Sequence, residues 1–282
     1  MHTTRPRYAQ VNFAIIILLL AALLVSGCQP SKGLSMSRNY SAVDIFTGPQ
    51  LELARAIENN DMAALRRGAE DVDLNAQGRQ QMTLMWFAMM QKNTDAIRTL
   101  VELGVHPSDD EMNGMPARTP LGAALMSEDT FYLEAMLDGG LSPNDGEEDG
   151  IPLLGKSVIS GTLNHVKLLI KHGAHIDATS QRGKKSSAFD ESTLGTKPEI
   201  AIYLLEQGAD PNFRSESGVT TAWRVHNRVN ELKPGPMRDS FTNLRNMMTE
   251  RGVVFPPPSP VEVREQMRTD GLTPVVPFGH DR

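Results

Sequence analysis

The stretch His172-Gly173-Ala174-His175-Ile176-Asp177 decides the fold, because it recurs along the chain at a regular spacing. A near copy is Gln207-Gly208-Ala209-Asp210-Pro211-Asn212, and weaker copies occupy residues 103–107 and 139–144. The glycines of these copies, at 104, 140, 173 and 208, are 36, 33 and 35 residues apart, and Gly68 extends the series back by another 36. Such a period is typical of a repeat array in which a glycine ends one helix of every unit.

Two helices are predicted in each unit. Residues 163–170 and 199–205 carry an apolar stripe at helical spacing, which neighbouring units would bury. Upstream of each anchor glycine lies a first-helix motif, clearest in Thr119-Pro120-Leu121-Gly122-Ala123-Ala124 and looser at residues 83–88, 152–155, 187–190 and 220–223.

Over roughly residues 48–252 the chain therefore resembles the ankyrin repeat family, whose first helix begins Thr-Pro-Leu-His-x-Ala. The resemblance implies an all-α solenoid of about five to six helix-turn-helix repeats with short β-like turns. No copy keeps the family's histidine, so the hydrogen bonds that it makes are missing and we expect a less stable, less regular stack. The residues in its place are Trp86, Gly122, Gly155, Asp190 and Trp223.

The N-terminus is predicted to be an export signal. Arg5 and Arg7 precede a 13-residue uncharged run, FAIIILLLAALLV, that is too short to span a bilayer comfortably. The run ends in Val25-Ser26-Gly27-Cys28, which resembles the bacterial lipobox and contains the only cysteine of the chain. The resemblance implies that residues 1–27 are cleaved and that Cys28 is lipidated; an uncleaved membrane anchor is the alternative. Gln29, rather than Asp, after the cysteine favours the outer membrane, with the protein facing the periplasm.

Both ends of the mature chain are expected to differ from the repeats. Residues 28–47 are predicted to form a flexible tether. Residues 50–68 and a stripe beginning at Met237 are predicted to form capping helices with one polar face. Residues 253–282 are rich in proline and are expected to be extended or disordered.

Composition excludes several functions. The 282 residues carry a net charge of −6, which argues against nucleic acid as a partner, and a single cysteine rules out a disulfide framework or a Cys-rich metal site. Residues 150–157 match the phosphate-loop pattern G-x-x-x-x-G-K-S, but carboxylates rather than a buried strand precede it, so we predict no nucleotide binding.

Metal sites and catalysis are also not expected. The acidic run at 144–149 lacks the spacing of a calcium loop, and His165, His172 and His175 have no completing ligands, so they are interpreted as surface histidines. Neither a cofactor nor a catalytic residue is predicted, and the chain is interpreted as a non-enzyme.

The resemblance places the partner-binding surface in a groove lined by the finger-like turns and the ends of the first helices. Acidic residues at 145–149 and basic residues at 182–185 alternate along it, which suits matching to a protein, although both runs could be solvated loops. Several of its methionines could be core instead. The candidate residues are Arg79, Gln80, Met82, Met90, Gln91, Met115, Arg118, Met126, Glu148, Asp149, Ile151, Lys184, Lys185, Ser186 and Glu216.

Together these patterns predict a lipid-anchored periplasmic module that binds one or more proteins. One hypothesis is an immunity protein that neutralises a toxic secreted effector, for example a lipase or a peptidoglycan hydrolase. The other is a scaffold that stabilises a resident envelope enzyme or assembly.

Overall fold

A computed structural model describes residues 40–109, 118–146, 150–180 and 185–276. Within these ranges the secondary structure is helical, apart from a few isolated β-bridges. The α-helices, in chain order, are α1 Ala42–Ile45, α2 Gly48–Glu58, α3 Met62–Gly68, α4 Leu84–Met90, α5 Thr94–Glu102, α6 Pro120–Met126, α7 Phe131–Asp138, α8 Leu153–Ser160, α9 Leu163–Lys171, α10 Ala188–Ser192, α11 Pro198–Glu206, α12 Thr221–Glu231, α13 Pro236–Glu250 and α14 Pro260–Thr269.

Helices α2 to α13 form six helix pairs, and the predicted all-α solenoid is confirmed. The first helices α2, α4, α6, α8 and α10 contact one another in sequence, and most neighbouring second helices contact one another as well: α3 with α5, α5 with α7, α9 with α11 and α11 with α13. Between pairs, the bridges Gly146–Pro152, Thr179–Ser187 and Arg214–Thr220 close short fingers, which are the predicted β-like turns. A continuous apolar core runs through the described part of the stack.

Recurring caps explain where four of the first helices begin, α4, α6, α10 and α12. The Thr119 side chain accepts a hydrogen bond from the Gly122 amide at 3.0 Å, and Ser187 accepts one from the Asp190 amide at 3.1 Å. Thr83 and Thr220 make the same contact in their repeats. A hydroxyl in this place satisfies an otherwise orphaned helix amide, which stabilises the helix by roughly 1 kcal/mol.

The anchor glycines end the second helices as predicted. Their φ angles lie between 89° at Gly173 and 108° at Gly140, where a side chain would be strained. Gly68 differs, because it is the last residue of α3 and has no positive φ. A Cβ there would lie 2.8 Å from Leu53 Cδ2, so close helix packing explains that glycine.

The tether prediction is wrong for the last residues of the segment 28–47. Residues 42–45 form α1, and Ala42, Ile45 and Phe46 are buried against the first repeats. The Phe46 ring packs edge-on against Phe87 with centroids 5.4 Å apart. Three apolar side chains with a helix-capping Ser41 suffice to order this segment.

The tail prediction is wrong for residues 260–269, which form α14. The prolines before residue 260 end the repeat array, but Pro260 then occupies the first turn of α14, where its missing N–H costs nothing. Ser259 and Glu262 form a capping box, and Val263 and Met267 are buried one helical turn apart. Residues 277–282 lie outside the described residues.

Candidate partner-binding surface

Four apolar residues occupy the same position in consecutive repeats, seven residues after the residue that caps the first helix. Met90, Met126, Ile159 and Leu194 are 36, 33 and 35 residues apart, the same spacings as those of the anchor glycines. Because equivalent positions in stacked repeats lie side by side, we infer that these side chains form one line near the C-terminal ends of the first helices, with Leu194 two residues after the end of α10. We call them the apolar row.

Three of the four side chains in the apolar row are exposed to solvent. Met126 is 54% exposed, Ile159 57% and Leu194 48%, whereas Met90 packs partly against the core. The next equivalent position is the polar Asn227, so the row ends there. Large apolar side chains aligned on one surface are typical of protein–protein contact sites.

A pocket of about 180 Å³ adjoins the apolar row at Ile159. Finger residues and first-helix residues of two neighbouring repeats line it, so it lies within the predicted groove. Of the predicted residues, Ile151 and Ser186 line this pocket. The complete lining is Ile151, Pro152, Gly155, Ile159, Ala178, Ser180, Ser186, Ser187, Ala188 and Glu191.

The N-terminal segment occupies the beginning of the predicted groove. Arg79 donates to the Asp44 carbonyl at 3.3 Å, and Gln91 donates to the Tyr40 carbonyl at 3.0 Å. The Tyr40 hydroxyl in turn donates to Gln80 at 3.4 Å. Met82 is buried, so the prediction that it meets a partner is wrong. Arg79, Gln80 and Gln91 are exposed, so their role in partner binding stays a prediction, although they also contact the N-terminal segment. They hold α1 and the chain that leads into it.

The other end of the groove is covered by the C-terminal segment. Arg264 donates to the Ser217 carbonyl at 3.1 Å, and the Val275 amide donates to the Glu216 carbonyl at 2.9 Å. The Glu216 side chain pairs with Lys185 at 3.2 Å across two fingers. Lys185 and Glu216, two predicted partner-binding residues, therefore pair with each other, and the uncovered surface lies within the described residues 118–146, 150–180 and 185–196.

Of the other predicted residues, Arg118 is exposed beside α6, whereas Met115, Glu148, Asp149 and Lys184 lie outside the described residues. The sequence reasoning found Met90 and Met126 but missed Ile159 and Leu194. Adding the repeat spacings of 33 and 35 to residue 126 finds both.

A buried ion pair lies directly beneath this surface. Asp190, which stands where the family's histidine would be, accepts a hydrogen bond from Thr221 at 2.9 Å and pairs with Arg224 Nε at 3.1 Å. Burial raises the pKa of Asp190, and Arg224 opposes that increase. Asp190 thus joins two repeats through polar contacts. The absence of the family's histidine had predicted that such contacts would be missing.

His165 is buried, so its interpretation as a surface residue is wrong. Its Nε2 lies 3.1 Å from the Ala124 carbonyl and its Nδ1 lies 2.9 Å from the Thr162 hydroxyl. These partners fix a neutral ring that donates at Nε2 and accepts at Nδ1. Burial lowers the pKa of His165, and Lys197 adds to that decrease.

We predict that the free energy of unfolding falls as the pH drops below about 6.5, where the unfolded chain protonates His165 and the folded chain does not. The slope approaches about 1.4 kcal/mol per pH unit until the lowered pKa is reached. Urea midpoints between pH 5 and 8 measure it. The control is His165→Leu, which removes the titrating ring and keeps an apolar side chain at a buried position; an unchanged slope in that variant would assign the effect to other groups.

The described residues contain no cluster of three or more His, Cys, Asp and Glu side chains that could hold a metal. His106 is the histidine most nearly arranged for catalysis, but Asp145 lies 3.1 Å from its Nε2 and the Ser108 amide donates to its Nδ1. Both ring nitrogens are engaged, so neither can activate a hydroxyl. In the same ranges no helix has the length and apolarity needed to cross a bilayer.

Solved structures share this fold. The ankyrin repeat domain of Bcl-3, a member of the IkappaB protein family, aligns with a TM-score of 0.54 and 19% identity over 75% of this chain and 92% of its own. An ankyrin repeat domain (ABAYE2397) from Acinetobacter baumannii AYE aligns with a TM-score of 0.51 and 20% identity, over 71% of this chain and 97% of its own. The solenoid is therefore an ankyrin-repeat solenoid.

In sequence, Protein PhlB of Serratia liquefaciens is 27% identical over 110 residues, which are 39% of this chain. The match spans about half of that relative, 48% of its length. No family model matches the chain.

Proposed function

We propose that the chain is a lipid-anchored periplasmic immunity protein, which binds a toxic secreted effector through the apolar row and neutralises it. The observation that carries the proposal is the apolar row with its pocket, left open between two covered ends of an ankyrin-repeat stack. Ankyrin-repeat folds act as protein-binding modules, and their concave surfaces suit a folded partner. The same surface has no catalytic arrangement within the described residues.

The location rests on the lipobox resemblance at Val25-Ser26-Gly27-Cys28. Three acyl chains on Cys28 would hold the protein firmly, since each buried methylene contributes about 0.8 kcal/mol. Residues 29–39 would then separate the membrane from the folded part of the chain, and Gln29 favours the outer membrane.

We predict that Cys28→Ser transfers the protein from the membrane fraction to the soluble fraction, because the variant lacks the sulfur to which the lipid attaches. Fractionation of the source bacterium, with and without detergent, measures the transfer. Ser31→Ala, three residues further on, should stay with the membrane. Retention of Cys28→Ser in the membrane would contradict lipidation and support the uncleaved anchor.

The immunity role is tested by capture with crosslinking, using the mature protein as bait. One bait sample is mixed with the envelope of unchallenged cells and another with proteins secreted by competing cells. A stoichiometric partner obtained only from the secreted proteins supports immunity, provided that the captured protein is toxic to cells lacking this chain. A partner obtained from the resident envelope alone contradicts immunity and establishes the scaffold.

A further inference from the structure

The pocket beside Ile159 combines an apolar wall with one carboxylate. Ile151, Ile159 and Ala178 supply apolar surface from two repeats, and Glu191 contributes the acid. At about 180 Å³ the pocket is smaller than sites that enclose a small molecule, which are roughly 300 to 1,000 Å³. Its size suits one long side chain of a protein partner.

Among the described residues, Glu191 forms no salt bridge. Two described cations nearby are already paired, Lys185 with Glu216 and Arg224 with Asp190, whereas Arg182 and Lys184 of the adjoining finger lie outside the described residues. Glu191 also lies next to the buried Asp190, so two carboxylates repel each other beneath the pocket. A cation brought to Glu191 would relieve that repulsion.

We infer that the pocket takes a lysine or arginine side chain of the partner protein, with its methylenes against Ile151 and Ile159 and its cation on Glu191. A purely apolar side chain would cover the Glu191 carboxylate without giving it a partner, which is unfavourable. An acidic side chain would be repelled by both carboxylates. The inference rests on the proposed function, because it names the chemistry of the partner that binds this surface.

The test uses n-butylguanidinium as a probe of the arginine side chain, with 1-pentanol and butyrate as apolar and anionic counterparts. Spectra of ¹³C-labelled isoleucine methyl groups in the folded protein report binding residue by residue. We expect n-butylguanidinium to shift the methyl signals of Ile151 and Ile159 saturably, while those of the buried Ile97 and Ile200 stay in place. Pentanol should bind more weakly, and butyrate should not bind.

Glu191→Gln should weaken the guanidinium affinity about fivefold or more, since it removes the charge and keeps the shape. Glu199→Gln, an exposed glutamate on α11, is the matched control and should leave the affinity unchanged. Ile159→Gln should weaken binding as well, by removing the apolar wall from an exposed position where folding does not depend on it.

Absence of a shift at Ile151 and Ile159, equal binding of pentanol, or full affinity in Glu191→Gln would overturn the inference. None of these results would contradict the proposed function, because capture of an effector through the apolar row does not need a cation in this pocket. Conversely, failed capture together with a positive probe experiment would refute the proposed function and leave a cation-binding pocket.

Discussion

Replacing Met126, Ile159 and Leu194 together by glutamate will reduce the affinity for the captured partner about a hundredfold or more. Each side chain is about half exposed, so its remaining apolar surface is buried only in the complex. Fully burying such a side chain contributes about 1.5–3 kcal/mol, and half of that at three positions amounts to about 2–4.5 kcal/mol, roughly 40-fold to 1,600-fold in affinity. Buried carboxylates without partners would add to the loss.

The measurement is a titration of purified partner against the wild type and the triple variant. A matched control replaces Val254, Val261 and Leu272 by glutamate, because these residues are similarly exposed, at 75%, 52% and 46%, and lie outside the apolar row. Both variants change the net charge equally and should keep the thermal midpoint of the parent. Equal loss of affinity in both variants would indicate a general charge effect and remove the apolar row from the binding site.

Arg224→Ala will destabilise the array by about 3 kcal/mol at neutral pH. Asp190 is 1% exposed, and among the described residues Arg224 is the one cation that pairs with it, so the variant leaves a buried carboxylate whose remaining described partner is the Thr221 hydroxyl. The loss is measured as a change in the free energy of urea unfolding. Arg214→Ala, at an exposed arginine of the preceding finger, should change stability by less than about 0.5 kcal/mol.

Two further measurements separate charge from packing in this prediction. Adding Asp190→Asn to Arg224→Ala should recover most of the loss, because a neutral amide needs no counter-ion. The loss should also shrink in acid, since the pKa of Asp190 is raised in the folded state and the unfavourable charge develops only as the pH rises above about 3.8. A deficit that persists in the double variant and at low pH would show that Arg224 acts through packing alone.

Most of the array could be predicted from the sequence, because the signals that define it are local. A capping hydroxyl, an apolar stripe and a glycine each act within one repeat, and their shared spacing places the helices almost residue by residue. Residues 152–155 and 187–190 retain little of the first-helix motif, yet α8 and α10 begin there. Spacing thus carried more information than the identity of the motif residues.

The interior polar groups could not be predicted in the same way. Whether His165 or Asp190 faces solvent depends on the neighbouring repeat, whose contribution, the Ala124 carbonyl or the Thr221 hydroxyl, comes from residues 41 and 31 positions away. The predictions for the two ends of the chain were wrong for a related reason. From composition, the N-terminal segment was predicted to be a flexible tether and the C-terminal segment to be extended or disordered. Phe46 and Met267 order parts of these segments instead, because they pack against apolar surface that only the assembled stack provides.

The covered ends have a consequence for how recognition can change. Because α1 lies at one end and α14 at the other, a partner that binds the apolar row would meet the segment from residue 118 to residue 196. The flanking helix pairs meet this block through core contacts and through side-chain pairs such as Asp190–Arg224 and Lys185–Glu216, neither of which uses the side chains of Met126, Ile159 or Leu194. A block of this kind can be exchanged between homologous arrays as a cassette, and its surface can diversify rapidly while both ends remain fixed. A new partner specificity could thus evolve through substitutions in this segment, without changes in the flanking repeats.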